Sequence, residues 1–286
     1  EPLSRHTSFA IGGPADLFIA ARQPTEMVEW TRLAWAEGVP MLVIGSGTNI
    51  LVADAGVRGL VVANECRGYV INEQYVLTAQ SGALLREVAT ATVECGLAGL
   101  AWAIGVPGTM GGAVIGNAGA YGGCMADVVM SVQVLSLDGQ VRQFDRAALD
   151  YSYRNSALKR MPVSAPRPIV LDATIQLQPG DREELARQVQ GIAEQRKQRT
   201  PAGCCAGSVF KRTLQYPAGF LIEQAGLKGK RIGGAEISPK HANFIMNVGD
   251  ATAADVRALI ELAQERVWAA FGERLEPEIE FVGEWR

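Results

Sequence analysis

Histidine is scarce in this 286-residue sequence, which contains only His6 and His241. Two histidines exclude a metal site built from several imidazoles, and they argue against a hydrolase that uses a Ser-His-Asp triad. The five cysteines also lack the Cys-x-x-Cys spacing of a metal or redox motif. Because an odd number of thiols without such spacing is typical of a reducing compartment, we expect a cytoplasmic protein.

Long apolar runs and basic clusters are also missing. No apolar stretch approaches the roughly 18 residues that a membrane-spanning helix needs, and no stripe of Lys and Arg indicates nucleic-acid binding. The composition, with 48% hydrophobic residues, 20% charged residues and a net charge of −3, is that of an ordinary soluble protein. We expect no membrane partner and no nucleic-acid partner, and we expect the chain to act as a monomer.

A glycine-rich segment is the most informative part of what is present. Residues 104–122 (IGVPGTMGGAVIGNAGAYG) contain seven Gly and one Pro but no charged residue. Because each Gly costs about 0.5–1 kcal/mol inside a helix or strand, we expect no regular helix or strand here. Ile104, Val106 and Met110 are too apolar for a flexible linker. Missing Cβ atoms would let this backbone contact a phosphate-bearing ligand or let two backbones of the protein cross at close range.

A second loop of similar chemistry lies upstream. Residues 41–44 are predicted to form a short buried strand, residues 45–49 (GSGTN) a tight polar loop, and residues 50–52 an apolar return strand. The amides and polar side chains of this loop suit a pyrophosphate, although turn formation alone would select the same residue types. Neither loop has the spacing of a P-loop or of a Rossmann fingerprint.

Periodicity and capping signals predict the surrounding elements. Helices are predicted from Thr25 to Glu37, along an apolar face from Leu84 to Cys95, from Asp181 to Arg199, and from Thr252, with a capping box to Asp255, to Phe271. Strands are predicted at residues 59–63, at 169–177 from alternation, and on both sides of a hairpin turn at Asp138 and Gly139. This mixture of elements predicts the α+β class.

Seven ordered motifs give the sequence a specific resemblance. They are residues 45–52 (GSGTNILV), 105–112 (GVPGTMGG) with 117–122 (NAGAYG), 153–156 (YRNS), 206–211 (AGSVFK), 218–223 (AGFLIE), 240–244 (KHANF) and 275–278 (LEPE). Together they resemble the family of UDP-N-acetylenolpyruvoylglucosamine reductases over almost the whole chain. The resemblance implies a two-part FAD-binding fold of the vanillyl-alcohol-oxidase type and a smaller α/β substrate-binding domain.

The same resemblance implies an activity and a division of the chain. The activity is the NADPH-dependent reduction of a UDP-sugar enolpyruvyl ether to UDP-N-acetylmuramate for peptidoglycan synthesis, with non-covalent FAD. The implied domains are residues 1–66 and 67–179 for FAD, and 180–286 for the substrate, with 275–286 returning to the flavin domain. The short stretch from Leu177 to Arg199 resembles the shorter subgroup of the family, which lacks a Tyr-bearing loop that closes on the substrate.

Three residues receive catalytic roles from the resemblance. Arg154 and a protonated Glu278 would stabilise enolate charge on the substrate, and the Ser208 hydroxyl would deliver a proton. Without the resemblance, a solvated loop cation, a surface carboxylate and a helix cap would be the ordinary interpretations of these three residues.

The resemblance also implies two sets of binding residues. Cofactor contacts are expected from Gly45, Ser46, Gly47, Thr48, Asn49, Ile50, Leu51, Gly105, Val106, Pro107, Gly108, Thr109, Gly111, Gly112, Ala113, Asn117, Gly119, Ala120, Tyr121 and Gly122. Substrate contacts are expected from Arg199, Lys211, Arg212 and Asn243. Arg212 stands where many relatives have Asn, and Asn243 has a second interpretation as a hydrogen-bonded core residue beside His241.

Two other functions are compatible with the sequence. One is a flavin oxidase or dehydrogenase of the same fold that acts on a hydroxy acid, sugar or lactone. Such an enzyme commonly tethers its flavin covalently, and neither His6 nor His241 lies in a glycine-rich loop. The other is a nucleotide-binding module without catalysis, against which the combination of Arg154, Ser208 and Glu278 argues.

Overall fold

The computed structural model describes residues 1–162 and 165–285, and the chain forms two compact units. The first unit consists of Glu1–Leu17, Ser46–Gly59 and Lys197–Arg286, and the second of Phe18–Gly45 and Leu60–Arg196. Each unit therefore combines segments that are far apart in the sequence. The three-domain division implied by the resemblance stays a prediction.

The elements follow one another in mixed order along the chain. The strands are β1 (Ala15–Ala21), β2 (Met41–Ile44), β3 (Ile50–Val52), β4 (Val57–Asn64), β5 (Tyr69–Ile71), β6 (Val76–Gln80), β7 (Leu97–Ala98), β8 (Gly119–Ala120), β9 (Gly123–Cys124), β10 (Val129–Leu135), β11 (Val141–Asp145), β12 (Ile169–Gln176), β13 (Gln178–Pro179), β14 (Arg231–Ile232), β15 (Ala235–Ile237), β16 (Ile245–Asn247) and β17 (Glu280–Val282). The helices are α1 (Pro24–Ala36), α2 (Leu85–Glu94), α3 (Met110–Ile115), α4 (Met125–Val128), α5 (Arg146–Leu149), α6 (Arg182–Arg199), α7 (Ala218–Gln224) and α8 (Ala253–Phe271), with 3-10 turns at Leu3–His6 and Ala101–Gly105. Among the described residues, no helix is both long and apolar enough to cross a membrane.

The second unit is built on a five-stranded antiparallel sheet with the order β11-β10-β12-β6-β5. The predicted hairpin at Asp138 and Gly139 is confirmed, since it joins β10 to β11. The predicted strand at 169–177 is confirmed as β12, in which Ala173 and Ile175 are fully buried. These side chains share one apolar core with α2 and α3.

A smaller sheet with the order β1-β4-β2 carries the first predicted loop. Strands β2 and β4 run parallel, with Val43 opposite Val62, which confirms both predicted strands. The polar loop begins at Gly45, directly after the end of β2. The strand predicted to be buried is half-buried except at Ile44, and its carboxyl end leads directly into this loop.

The first unit has an antiparallel sheet with the order β14-β15-β16, and α8 packs on β15. Apolar residues from all three segments of the unit form its core, including Phe9, Leu51, Phe210 and Leu259. Strands β3 and β17 pair in parallel, with Leu51 opposite Phe281. The last strand of the chain therefore lies beside the strand that follows the 45–49 loop.

Helix α8 begins and ends where its sequence signals predict. The Thr252 hydroxyl accepts a hydrogen bond from the Asp255 amide at 3.1 Å, and the Asp255 carboxylate accepts one from the Thr252 amide at 3.0 Å, so the predicted capping box is confirmed. Gly272 ends the helix with a left-handed φ of +67°. A further cap was not predicted: the Asp54 carboxylate accepts hydrogen bonds from the Ala253 and Ala254 amides.

Helix α1 begins earlier than predicted, so the proposed start at Thr25 is wrong. The N-cap is Gln23, whose amide donates to the Glu26 carboxylate at 3.2 Å, and the same carboxylate accepts from the Arg22 amide at 2.7 Å. Pro24 occupies the first helical position, where its fixed φ suits the helix and its missing N–H leaves no bond unmade. The carboxylate of Glu26 is therefore the acceptor for the two backbone amides that come just before the helix.

The expectation that residues 104–122 contain no regular helix or strand is also wrong, because α3 and the two-residue strand β8 lie within this segment. The Thr109 side chain accepts a hydrogen bond from the Gly112 amide at 3.4 Å and caps the helix. Tertiary contacts offset the poor helix propensity of glycine here. The Met110 amide donates to the Ala83 carbonyl and the Gly111 amide to the Ser81 carbonyl, both at 2.8 Å.

Gly111 lies where two backbones cross. A Cβ on Gly111 would lie 2.8 Å from the Cβ of Ser81, closer than two carbon atoms can approach without a shift of the backbone. A Cβ on Gly112 would meet only the Thr109 hydroxyl, at 3.6 Å. The backbone-crossing interpretation therefore holds for Gly111, while Gly112 leaves open space on its side of the helix.

Gly111→Ala and Gly112→Ala form a matched pair that tests this difference. Overpacking against Ser81 typically costs about 1–3 kcal/mol, which exceeds the gain of up to about 1 kcal/mol from replacing a helical Gly by Ala. We expect Gly111→Ala to lower the free energy of unfolding by about 1–2 kcal/mol, and Gly112→Ala to leave it unchanged or raise it. Urea unfolding followed by circular dichroism measures both. Equal effects would show that the contact with Ser81 does not limit the segment.

Candidate active site

The first predicted loop connects β2 to β3 and is shaped by Gly47. This residue is buried and has a left-handed φ of +59°, and a Cβ there would overlap the carbonyl oxygen of His6. The Gly47 carbonyl accepts hydrogen bonds from the Ser8 amide at 3.1 Å and from the Ser8 hydroxyl at 3.3 Å. The sequence around Ser8 therefore holds the loop in a conformation that only glycine adopts without strain.

This loop presents a run of available backbone donors. The amides of Ser46, Gly47 and Thr48 donate no hydrogen bond to any described residue. Buried or half-buried amides normally have a partner. Successive amides around a left-handed residue form a concave site of the kind that binds phosphate oxygens.

The second predicted loop touches the beginning of the first. A Cβ on Gly45 would lie 2.5 Å from the Thr109 hydroxyl oxygen, so these two residues are in direct contact. The sequence placed both in one cofactor site, and within the second unit the structure brings them together. In the turn that joins β8 to β9, a Cβ on Gly122 would meet no atom within 4 Å. Gly112 and Gly122 thus border open space that a ligand can occupy.

Tyr121 and Gly122 form the two-residue turn between β8 and β9. Their φ values are +51° and +88°, the left-handed pair that a type I′ hairpin requires. Tyr is uncommon at such a position, and the strain is of the order of 1–3 kcal/mol. The ring of Tyr121 packs near Gly105, since a Cβ there would lie 3.5 Å from the tyrosine Cε2. A strained, 40% exposed aromatic residue at this position is a candidate ligand contact.

Arg154 lies in a second strained turn of the same unit. Ser152 and Asn155 exchange backbone hydrogen bonds of 3.1 Å on either side of it, and Arg154 has a φ of +55°. Its guanidinium carbon lies 5.7 Å from the centroid of the Tyr153 ring, within cation–π range. Asn or Gly is the usual residue with positive φ in such turns, so the Arg side chain is placed here at a conformational cost.

Two side chains anchor the Arg154 turn to the glycine-rich segment. The Asn117 amide group donates to the Ser152 carbonyl at 2.9 Å, while its Oδ1 accepts from the Ala126 amide at 3.0 Å. The hydroxyl of fully buried Ser156 donates to the Ile115 carbonyl at 2.7 Å. Both polar ends of the Asn117 side chain are thus used within the protein. Its predicted cofactor role stays a prediction.

Ser208 and Glu278 come close in the first unit through their backbones. The Glu278 amide donates to the carbonyl of Val209, the residue after Ser208, at 2.7 Å. Both Ser208 and Glu278 are half-buried, and the Ser208 hydroxyl makes no hydrogen bond to any described residue. Its proton is therefore available for a reaction partner.

Asn49 connects the first loop to Glu278. Its carboxamide nitrogen donates to the Glu278 carbonyl at 3.2 Å, and its own carbonyl accepts from the Glu280 amide at 2.9 Å. Two residues predicted for different roles, cofactor binding and catalysis, are thus neighbours.

The predicted substrate-binding residues fall into two groups. Arg199 and Arg212 are exposed, and neither forms an ion pair with another described residue. Lys211 is paired through its Nζ with Glu276 at 2.5 Å. Asn243 is buried, and its carboxamide bonds to the backbone of Phe210. The two arginines are therefore free to bind an anionic ligand, whereas Asn243 is occupied within the protein.

Sequence reasoning left one part of this region unassigned. Residues 81–85 run beside residues 108–111. The Leu85 amide donates to the Gly108 carbonyl at 3.0 Å, and the Met110 and Gly111 amides donate to carbonyls of residues 81–83. The sequence signal is Gly82, two residues after the end of β6: a Cβ there would lie 2.6 Å from both the Asn64 side chain and the Cys66 amide. The hydrogen bonds of residues 81–85 therefore hold residues 108–111 of the glycine-rich segment in place.

Comparisons with known proteins agree with this geometry. A profile described as "FAD binding domain" matches residues 15–145, and one described as "UDP-N-acetylenolpyruvoylglucosamine reductase, C-terminal domain" matches residues 198–282. The curated UDP-N-acetylenolpyruvoylglucosamine reductase of Lachnoclostridium phytofermentans is 41% identical over 99% of this chain and 92% of its own length. That of Caldanaerobacter subterraneus subsp. tengcongensis is 42% identical over 99% and 93%.

A solved structure gives the same result for the fold. The UDP-N-acetylenolpyruvylglucosamine reductase from Thermus caldophilus superimposes with a TM-score of 0.83 at 33% identity, covering 98% of this chain and 97% of that one. The predicted α+β class with a two-part FAD-binding fold and a further substrate-binding domain is confirmed. The chain belongs to the UDP-N-acetylenolpyruvoylglucosamine reductase family.

Proposed function

We propose that this protein reduces UDP-N-acetylglucosamine enolpyruvate to UDP-N-acetylmuramate, with non-covalently bound FAD and with NADPH as the hydride donor. Membership of the reductase family supports the reaction, and the matching FAD-binding domain supports the cofactor. The observation that carries the proposal is the hydrogen bond between the Glu278 amide and the Val209 carbonyl. It brings a carboxylic acid and a serine with an available proton onto neighbouring segments.

The residues of the two loops fit FAD. In the first unit, the unpaired amides of Ser46, Gly47 and Thr48 suit a pyrophosphate. In the second unit, taken by itself, the open space beside Gly112 and Gly122 suits a flat ring system. The chemistry that FAD supplies when bound is transfer of a hydride from NADPH to the terminal carbon of the enolpyruvyl group.

The protein side chains would manage charge and protons. The Arg154 guanidinium would bind the substrate carboxylate and stabilise negative charge that develops there. Glu278, in its protonated form, would donate a hydrogen bond to the same developing charge. Ser208 would transfer its hydroxyl proton to the substrate carbon that bears the carboxylate. Each of these roles uses a group that is half-buried.

The diphosphate of the UDP-sugar needs cations. Arg199 and Arg212 meet this need, because both are exposed and neither is engaged in an ion pair with another described residue, and a guanidinium binds phosphate oxygens in bidentate fashion. Lys211 would contribute charge while it stays paired with Glu276. The cytoplasmic location, the monomeric state and the shorter-subgroup assignment stay predictions.

A two-step spectroscopic experiment tests the proposed function. The purified protein is expected to be yellow and to release FAD, not FMN, when it is precipitated with acid. NADPH is expected to bleach the flavin under anaerobic conditions, and UDP-N-acetylglucosamine enolpyruvate is expected to restore the colour. Under the same anaerobic conditions, a hydroxy acid, a sugar and a lactone are each tested as reductants of the oxidised flavin in place of NADPH, and bleaching by one of them but not by NADPH would overturn the proposal. Flavin that stays bound to the denatured chain, or colour restored only by another compound class, would overturn the proposal.

Ser208→Ala tests the proton donor. We expect bleaching by NADPH to keep its rate, because no proton from Ser208 enters that step. Reoxidation by the enolpyruvyl substrate should slow by about 10²–10⁴-fold, the usual contribution of general acid catalysis. Stopped-flow absorbance measures both half-reactions, and Ser4→Ala, a half-buried serine of the same unit, is the control. Equal losses in both half-reactions would show that Ser208 is structural.

Glu278→Gln tests the carboxylic acid. The amide keeps the shape and one donor but cannot act as a titratable acid, so reoxidation by substrate should fall by about 10²-fold or more. Flavin content and NADPH-driven bleaching should stay near the wild-type values.

Two further glutamates make this experiment specific. Glu284→Gln removes the same charge from an exposed position on the same terminal segment and should leave both half-reactions unchanged. Glu276→Gln removes the partner of Lys211 and should affect the KM for substrate more than the rate of reoxidation. If Glu276→Gln abolished reoxidation and Glu278→Gln did not, the assignment would be wrong by two residues.

A further inference from the structure

Asn243 pairs with the backbone of the segment that carries Ser208. Its Oδ1 accepts a hydrogen bond from the Phe210 amide at 2.9 Å, and its Nδ2 donates to the Phe210 carbonyl at 2.8 Å. The Asn243 carbonyl also accepts from the Val209 amide at 2.9 Å. A single asparagine therefore satisfies both polar groups of Phe210 and one of Val209, as a neighbouring strand would.

The residues that form this pairing are buried. Asn243 is 7% exposed, Phe210 is 2% exposed and Val209 is fully buried. Buried backbone groups without a partner are costly, so the position of the segment is tightly coupled to the asparagine side chain. Water cannot easily replace these bonds.

The asparagine is itself held in place. The backbone amide of Asn243 donates a hydrogen bond to Nδ1 of His241 at 3.2 Å. Burial lowers the pKa of the His241 imidazole, which keeps the ring neutral near pH 7 and leaves Nδ1 able to accept that bond. The His241 ring packs edge-on against Phe244, with 5.0 Å between centroids.

The opposite side of the same segment pairs with the segment that carries Glu278. The Val209 carbonyl accepts from the Glu278 amide at 2.7 Å, and the Lys211 amide donates to the Glu276 carbonyl at 2.9 Å. Residues 209–211 are thus clamped between Asn243 on one side and residues 276–278 on the other. A shift of Phe210 toward or away from Asn243 would change the spacing between Ser208 and Glu278.

We propose that Asn243 is a positioning residue for Ser208 rather than a substrate contact. It fixes the 209–210 peptide and thereby sets where the Ser208 hydroxyl lies relative to Glu278. The inference rests on the proposed function, because it assumes that Ser208 delivers the proton. It also gives a role to the buried carboxamide different from the substrate contact implied by the family resemblance.

The test uses Asn243→Ala in the full-length, FAD-loaded protein. A small misplacement of a reacting group can cost up to about 10²-fold in rate, so we expect reoxidation at saturating enolpyruvyl substrate to slow by about 10-fold or more. The KM for this substrate should change by less than about 3-fold, since Asn243 is proposed to make no contact with it. Bleaching by NADPH should keep its rate. A raised KM with an unchanged maximal rate would overturn the inference and restore the substrate contact.

A double variant separates positioning from general damage. Residues that act through one another show strongly non-additive effects, so Asn243→Ala should add little to the defect of Ser208→Ala. Multiplicative losses in the double variant would show that Asn243 does not act through Ser208. If Ser208→Ala alone leaves reoxidation intact, the proton-donor role in the proposed function fails, a result visible without any change at Asn243.

Two more variants guard against a trivial loss of folding. Asn247→Ala removes an asparagine of the same unit whose carboxamide bonds to other backbone groups, the Phe9 carbonyl and the Gly249 and Ala251 amides. It should lower thermal stability without a selective loss of reoxidation. Asn243→Ser keeps a shorter polar group and should show the pattern of Asn243→Ala at smaller amplitude. Slow reoxidation in Asn247→Ala to the same degree would overturn the inference.

Discussion

The backbone pairing of residues 209–211 with residues 276–278 is the interaction on which the first unit's part of the site depends. It joins two segments separated by more than sixty residues of sequence, through hydrogen bonds of 2.7 Å at Glu278 and 2.9 Å at Lys211. Beyond Glu278 the chain continues into β17, which pairs with β3. Residues 276–282 therefore lie beside the Ser208 segment at one end and beside β3, the strand that follows the 45–49 loop, at the other. Burial of Phe210 and Ile279 in one core stabilises both pairings.

The second unit depends on close approach of backbones. Gly45 lies against the side chain of Thr109, and Gly111 lies against the Cβ and backbone of Ser81, so a side chain at either glycine would collide with the neighbouring segment. This constraint explains why a helix as glycine-rich as α3 is stable: its amides at Met110 and Gly111 pair with residues 81–83 instead of relying on helix propensity. Glycine thus has two uses in one segment, since Gly112 and Gly122 border open space.

Much of this architecture could be predicted from local patterns. The capping box of Thr252 and Asp255, the alternation of 169–177 and the turn at Asp138 and Gly139 each act within a few residues, and each is confirmed. The errors arose where a distant partner decides the local conformation. Helix α3 forms because residues 81–83 accept its amides, a contact that no window of sequence contains. The start of α1 was misplaced for a different reason: the helix begins at Pro24, and the Glu26 carboxylate accepts hydrogen bonds from the amides of Arg22 and Gln23 just before it, so Thr25 lies inside the first turn and not at the cap.

The candidate site shows the same limit at the level of single residues. A motif match identifies Asn117 and Asn243 as members of a functional region, but it does not distinguish a ligand contact from a support, because both uses need a buried carboxamide. The structure adds that distinction through the partners. Asn117 bonds to Ser152 beside the Arg154 turn, and Asn243 bonds to Phe210 beside Ser208. In both cases the side chain replaces a missing backbone partner. Loss of Asn243 would leave the buried peptide groups of Phe210 unpaired, loss of Asn117 would break part-buried bonds to Ser152 and Ala126, and either loss would be transmitted to the neighbouring functional side chain. Asparagine suits this task because its carboxamide reproduces the donor and acceptor of a peptide bond.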